Sequence, residues 1–322
     1  MKKEEIRILL NDEMKQRFDD ITLSRVLGAN KQIDLIIEMI VSILDDTTLS
    51  KEEMISNIKS VAYFFQETRG QNSRAIYNAI ALFLSNLDEV SEYSVVIEKM
   101  KNGIQSYHEK SLNDTKKIVE FATSICENLH KIMIFDYSST VNEFVKGLKH
   151  EMTIYIPESR ALNGGKPFVK DAVGGNHKVR FIPDTTIFHF LKECDAAFMG
   201  AETIYPDGTV FNTIGSDLVA VSCKYQGVPF YALTPLMKID VRPVYGHIRL
   251  SPMSYDFKSR LASDWDEELS DKINFEGIKL ISVKPELITA IICEEGIIPP
   301  ASLFEIAMNY NRKLENNLCQ EK

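Results

Sequence analysis

The sequence predicts a two-domain α/β chain, a helical domain followed by a mostly parallel sheet with helices on both faces. Three observations carry this expectation. The chain has 322 residues at 44% hydrophobic content, and chains beyond roughly 250 residues usually divide into domains. Apolar residues recur at helical spacing through the first third. Beyond residue 128, short continuous apolar runs alternate with helical stretches.

From Lys3 to about Asn128 the helical period is clear in Ile33, Ile36, Ile37, Ile40, Val41 and Leu44, so residues 1–128 are expected to form the helical domain. Charged stretches such as Glu98 to Lys101 read as solvated helix faces. At Lys131 the pattern changes to strand, loop and helix: Ile132 to Phe135, then Asp136 to Thr140, then a helix from near Val141. Further strands are expected at Met152 to Ile156, Val179 to Ile182, Ala196 to Met199 and Val228 to Leu233, with helices at Thr186 to Glu193 and Ser216 to Tyr225. Continuous apolar strands between helices indicate a parallel sheet covered on both faces, assigned here to residues 129–322.

Several function classes are excluded. No run approaches the roughly 20 apolar residues of a membrane span; Leu35 to Leu44 is interrupted by Glu38 and Ser42. The mixed-charge start, Met1 to Glu5, is unlike a signal peptide, and a cytoplasmic protein is expected. Five cysteines without CxxC spacing (Cys126, Cys194, Cys223, Cys293, Cys319) fit a reducing compartment and form neither a disulfide framework nor a zinc site. A net charge of −9 disfavours direct nucleic-acid binding. HExxH, GxxxxGK[ST] and GxSxG are absent, and His177, His189 and His247 lack metal-ligand spacing, so neither metal nor cofactor is expected. The Gly174-Gly175 pair reads as a turn, not as a dinucleotide fingerprint.

In parallel sheets ligands bind beyond the carboxyl ends of the strands, which directs attention to five loops: Asp136 to Thr140, Pro157 to Gly165, Pro183 to Thr185, Gly200 to Ser216 and Thr234 to Lys238. Arg160, just past a strand, can grip a phosphate or carboxylate with its fixed fork of donors, or pair with Glu158 or another loop acid. Gly215 and Ser216 precede a helix whose free N–H groups favour an anion, although Gly-Ser is also an ordinary capping sequence and Asp217 can cap and compete. Asp207-Gly208 reads as a turn. These loops suit a phosphorylated sugar or nucleotide.

Glu158-Ser159-Arg160, Gly200-Ala201-Glu202, Asn212 to Ser216, Pro229-Phe230-Tyr231 and Pro285 to Gly296 occur together in this order. As a set they resemble the superfamily of ribose-1,5-bisphosphate isomerases, methylthioribose-1-phosphate isomerases and the alpha, beta and delta regulatory subunits of the eukaryotic initiation-factor-2B exchange complex. Arg25-Val26-Leu27-Gly28-Ala29 and Arg69-Gly70-Gln71-Asn72-Ser73 resemble its two N-terminal ligand-facing segments, so the likeness covers nearly the whole chain.

The resemblance implies an N-terminal helical bundle joined to a Rossmann-like domain, a sugar phosphate bound between them, and homodimers or higher homo-oligomers formed through the C-terminal domain. It assigns ligand binding to Arg25, Gly28, Ala29, Arg69, Arg160, Asn212, Gly215, Ser216 and Lys238. In the isomerase branches a cysteine follows the first strand of the second domain and an aspartate follows the Gly-Ala pair. Those positions hold Asp136 and Glu202 here, the candidate catalytic pair. Two carboxyls can move a proton between sugar carbons if closeness raises one pKa, while Asp136 can equally cap the helix starting near Val141. Glutamate after Gly-Ala also resembles the regulatory subunits, and the family's Asn-Lys has become Asn212-Thr213, which removes one positive charge. The expectation is a sugar-phosphate binder with an altered catalytic pair; the alternative is a non-catalytic sensor that acts through protein partners. The charged segment Arg242 to Phe275, with the sole Trp265, reads as an exposed connection, an assembly arm or a lid.

Overall fold

The structure is a computed structural model that describes residues 2–23, 25–26, 28–71, 73–85, 87, 91–247 and 254–319. Leu27, Asn72 and residues 248–253, which belong to segments singled out above, lie outside the described residues. The chain divides into two compact units, one comprising Met1–Asn113, Met237–Ile239 and Met308–Lys322, the other Asp114–Leu236 and Asp240–Ala307.

The first unit contains α1 (Lys3–Ile8), α2 (Asp12–Thr22), α3 (Ala29–Leu44), α4 (Lys51–Thr68), α5 (Arg74–Ser85) and the first part of α6 (Tyr93–Ile125). Local chemistry sets the helix starts. Asn11 Oδ1 accepts from the Met14 N–H at 2.9 Å ahead of α2. Ser50 and Glu53 exchange side-chain and backbone bonds of 3.2 and 2.9 Å ahead of α4, a reciprocal capping box. The periodic face of α3 buries Ile33, Ile36, Ile40 and Ile43, and Phe18, Phe64 and Phe65 pack with ring centroids 5.1 to 5.4 Å apart. Asn78 Nδ2 donates to Met237 O at 2.9 Å and Ile239 O at 3.4 Å, which ties that segment, with Lys238, to the helical unit.

The second unit runs β1 (Lys131–Phe135), α7 (Ser139–Gly147), β2 (Thr153–Pro157), α8 (Val169–Gly174), β3 (Lys178–Ile182), α9 (Ile187–Leu191), β4 (Ala196–Met199), β5 (Thr203–Ile204), β6 (Val210–Thr213), α10 (Ser216–Gln226) and β7 (Phe230–Leu233). It continues through β8 (Ser254–Asp256), α11 (Lys258–Leu261), α12 (Glu267–Ser270), β9 (Glu276–Ile278), β10 (Leu280–Val283), β11 (Ala290–Cys293) and β12 (Gly296–Ile298) into the start of α13 (Leu303–Cys319), whose residues from Met308 on belong to the first unit. All five strands read from the sequence form, within two residues at each end.

The main sheet has the order β12-β11-β7-β4-β1-β2-β3 and is parallel except for the β11–β12 pair. Ile132, Ile134, Ile154, Ile156 and Phe198 meet Val141, Phe144 and Val145 of α7 on one face, which explains why these strands read as continuous apolar runs. The chain starts at β1, moves through β2 and β3 to one edge, then returns to β4, β7 and β11 on the other side. The direction reverses between β1 and β4, the switch point where the loops of an open α/β sheet part to form a crevice.

Two expectations need correction. Gly200 to Ser216 is not a loop: it contains β5 and β6, which join β10 in a three-stranded antiparallel sheet. The helix expected over Thr186 to Glu193 is α-helical only from Ile187 to Leu191, after a 3-10 turn at Asp184–Thr186. The Asp207-Gly208 turn joins β5 to β6, with Gly208 at φ +88° beneath Pro300. In the charged segment, β8 pairs with β9 just beyond the segment's end, α11 and α12 lie between the two strands, and Trp265 packs edge-on against Phe275.

Candidate functional site

Asp136 is the first residue after β1 and sits at φ +55°, a left-handed conformation uncommon outside glycine. It does not cap α7. That role belongs to Ser138, whose Oγ accepts from the Val141 N–H at 3.5 Å. Asp136 is instead only 6% exposed, with Oδ1 accepting from Ser159 Oγ at 2.7 Å and Oδ2 from Thr213 Oγ1 at 2.6 Å. Burial pushes its carboxyl above the ordinary aspartate range; the bonds from Thr213, Ser159 and the Tyr137 N–H oppose the rise, and the charge of Asp184 adds to it. One carboxyl therefore joins the loops after β1 and β2 to the end of β6.

The loop after β2 is shaped around that carboxyl. Ser159, buried and at φ +47°, donates its N–H to Asp184 Oδ1, and Arg160 donates its N–H to Asp184 Oδ2, both at 2.8 Å. A Cβ on Gly164 would fall 2.0 Å from Asp136 Oδ1, and one on Gly165 would fall 2.0 Å from Pro157 O, so only glycine permits this approach. Asn163, beside them, is also at positive φ. Three non-glycine residues in such conformations at one sheet edge are the backbone signature common at ligand sites. The Arg160 side chain is exposed, and among the described residues it forms no ion pair with Glu158.

Beyond β4, Gly200 lies so close to Ser138 that an added Cβ would stand 2.4 Å from its Cβ, which brings the two switch-point loops together. Glu202 donates its N–H to Phe211 O at 2.8 Å, and its half-buried side chain makes no hydrogen bond or ion pair among the described residues. No hydrogen bond joins it to Asp136. Asn212 and Thr213 end β6, and Asn212 Nδ2 donates to the fully buried Ser216 Oγ at 3.0 Å. Gly215, at φ +98° against the Phe135 ring, is the N-cap of α10 and supplies no capping side chain. Asp217 lies in the first turn, and one of its oxygens is enclosed without a hydrogen-bond partner among the described residues.

The remaining candidates belong to the helical unit. Arg25 is exposed and pairs with Asp20 at 3.4 Å. Gly28, at φ +87°, is the N-cap of α3, and Ala29 is its buried first residue. Gln32 fixes this turn, donating to Val26 O at 2.8 Å while its Oε1 accepts from Arg69 Nε at 3.0 Å. Lys238 is half-buried beside Met237.

Two residues escaped sequence reasoning. Asp184, an acid directly after a strand-ending proline, carried the available signal. Glu294 follows β11 and accepts from the Leu236 N–H at 3.0 Å; its strand was not read, so its loop was not searched. The described cysteines Cys126, Cys194, Cys223 and Cys293 are buried, and burial pushes each thiol up to about 12, so none offers a thiolate. Among the described residues no metal-binding cluster occurs, and no helix is long and apolar enough to cross a membrane.

The model of the Initiation factor 2 subunit family matches residues 28–300. The ribose 1,5-bisphosphate isomerase of Methanocaldococcus jannaschii is 24% identical over 83% of this chain and 85% of its own length. A putative methylthioribose-1-phosphate isomerase from the same organism is 33% identical, but over only 38% of this chain and 37% of its own. The translation initiation factor eIF2B subunit delta of Schizosaccharomyces pombe is 22% identical over 87% of this chain and 64% of its own. Among solved structures, 5-methylthioribose 1-phosphate isomerase from Pyrococcus horikoshii OT3 matches with a TM-score of 0.73 at 16% identity, covering 96% of this chain and 92% of that one.

Proposed function

From the premise that the chain belongs to the Initiation factor 2 subunit family, which includes sugar-phosphate isomerases and initiation-factor regulatory subunits, we propose that it binds a phosphorylated sugar at the carboxyl edge of its parallel sheet. The observation that carries this reading is the convergence of the β1 loop, the β2 loop and the end of β6 on the buried Asp136 carboxyl. Arg160 supplies the charged fork for the phosphate, and the uncapped start of α10 at Gly215 and Ser216 supplies N–H donors.

Asp136, whose carboxyl burial pushes above the ordinary aspartate range, is the acid of the pair when protonated, with one neighbouring hydroxyl then turned to accept from it, and Glu202, without a side-chain partner among the described residues, is the proton acceptor. The second reading is a non-catalytic sensor. It is favoured by the engagement of both Asp136 oxygens with hydroxyls of the chain itself, which makes the carboxyl a brace for the loops.

A thermal-shift screen of ribose, fructose and nucleoside phosphates tests binding, since a ligand specific for the folded state raises apparent stability. Assays with ribose 1,5-bisphosphate and methylthioribose 1-phosphate, repeated with Asp136→Asn and Glu202→Gln, separate the readings. Turnover lost in both variants supports the pair. Turnover that survives both rejects it, and tight binding without turnover favours the sensor. A protein stabilised by none of these phosphates refutes the binding proposal.

A further inference from the structure

We propose that the arm formed by β8, α11, α12 and β9 docks a basic segment of another protein. One arginine or lysine side chain of that segment enters a cavity of about 480 Å³ lined by Tyr255, Ile273, Phe275, Asp256, Asp271 and Glu276. This volume falls within the roughly 300–1,000 Å³ of pockets that hold small organic groups. Trp265, 47% exposed, lies edge-on to Phe275 with ring centroids 5.8 Å apart, and Ile273 is 40% exposed, so apolar surface continues from the cavity to the outside of the arm. Aromatic rings accept both the methylene stem and the cationic head of arginine or lysine. Tyr255 already does so within the chain, with Lys279 Nζ 5.6 Å from its ring centroid.

Charge complementarity identifies the occupant. The register of β8 and β9 sets Asp256 directly opposite Glu276. Side chains opposite one another in an antiparallel pair share a face, and like charges there repel. Asp256 Oδ1 accepts from the Lys258 N–H at 2.8 Å, Glu276 makes no side-chain hydrogen bond or ion pair among the described residues, and the Lys258 ammonium is bonded to Asp271. Three carboxylates against the one ammonium of Lys258 leave the cavity with a charge of −2. Residues 254–278 as a whole carry seven acids and three bases. Among the described residues these carboxylates do not converge into a metal-binding cluster, so the fitting cation is one with several donors on a flexible stem. A free cation fills the cavity alone. A polypeptide also covers Trp265 and Leu269, which is 54% exposed beside the cavity-lining Ser270.

The test uses the full chain, whose sole tryptophan is Trp265, so intrinsic fluorescence reports on this site. The probes are a blocked peptide with arginine between leucines and its citrulline counterpart, which is neutral and nearly the same shape. The arginine peptide should shift Trp265 emission saturably, and the citrulline peptide should bind at least about tenfold more weakly. Asp256→Asn combined with Glu276→Gln should cost the arginine peptide a similar factor, whereas Glu98→Gln, at an exposed position of α6, should cost nothing. The thermal midpoint of the double variant should equal or exceed the parent's, because a repulsive pair has been removed. Absence of a saturable shift, equal affinity for both peptides, or unchanged affinity in the double variant overturns the proposal. A lowered midpoint does so too, since carboxylates satisfied within the chain need no cation. Equal weakening by Glu98→Gln would reduce the effect to general attraction by an acidic chain and also overturn it. The same holds if calcium chloride, arginine methyl ester or a higher concentration of the protein alone produces the shift as well as the peptide, which would assign the arm to a metal ion, a free cation or a second copy.

Discussion

Ser159 donates its hydroxyl to Asp136 Oδ1 at 2.7 Å although both residues are held at positive φ, in loops that follow neighbouring strands. Backbone strain in each loop is offset by a bond between them. Replacing Asp136 should therefore depend on whether the substitute can still bond two hydroxyls. Asparagine has an acceptor and a donor of the same shape and should cost no more than about 1 kcal/mol. Alanine strands the Ser159 and Thr213 hydroxyls and should cost about 2–4 kcal/mol. Urea denaturation of both variants checks the contrast.

The raised pKa of Asp136 gives a pH dependence of definite sign. The folded state holds this proton more tightly than the unfolded chain, where the reference value is 3.8. The contribution is complete below that value and is lost as pH rises from it through the folded pKa. The stability of the parent relative to Asp136→Asn should accordingly decline with rising pH over this window. A relative stability that climbs with pH would show the carboxylate, not the acid, to be the favoured form.

Gly164→Ala places a methyl group 2.0 Å from Asp136 Oδ1, so either the loop or the carboxyl must move. A cost of about 1–3 kcal/mol is expected from overpacking, together with weaker sugar-phosphate binding. Gly174→Ala, where an added Cβ meets nothing within 4 Å, is the control and should leave binding unchanged.

These residues also show how far the sequence could be read. The loops of Asp136 and Arg160 could be singled out because Asp136 directly follows β1 and Arg160 lies three residues past β2, and the end of a parallel strand has a fixed meaning in this architecture. The contact between Asp136 and Thr213 was not legible, since it joins positions 77 residues apart through a bond that only the folded sheet creates. β10, β11 and β12 were missed because their short runs lie in a stretch broken by Pro285, Pro299 and Pro300, without the intervening α-helices that set off the equally short β4 and β7. The capping of α7 by Ser138 in place of Asp136 turned on φ angles, which composition does not encode.

Arg160→Ala should separate binding from stability. The side chain is exposed, so folding should change by less than about 0.5 kcal/mol. Loss of a charge-assisted bond to phosphate should weaken binding by about 1.5–3 kcal/mol, read by calorimetric titration with whichever phosphate the screen identifies. Unchanged affinity in the folded variant removes Arg160 from the site.

Asp184 offers the most informative substitution, because it acts on the site in two ways at once. Its two oxygens accept the successive N–H groups of Ser159 and Arg160, each at 2.8 Å, which fixes the backbone from which Arg160 extends. Its charge also raises the pKa of Asp136. Asp184→Asn keeps one acceptor and removes the charge, while Asp184→Ala removes both. Hydrogen exchange at residues 158–165 should rise modestly in the asparagine variant and strongly in the alanine variant, with ligand affinity falling in the same order. The pH window assigned to Asp136 should close at a lower pH in both, because loss of the neighbouring negative charge makes ionisation of the buried carboxyl easier. If exchange rises while that window stays in place, Asp184 is a backbone clamp alone and the electrostatic link between the two acids is rejected.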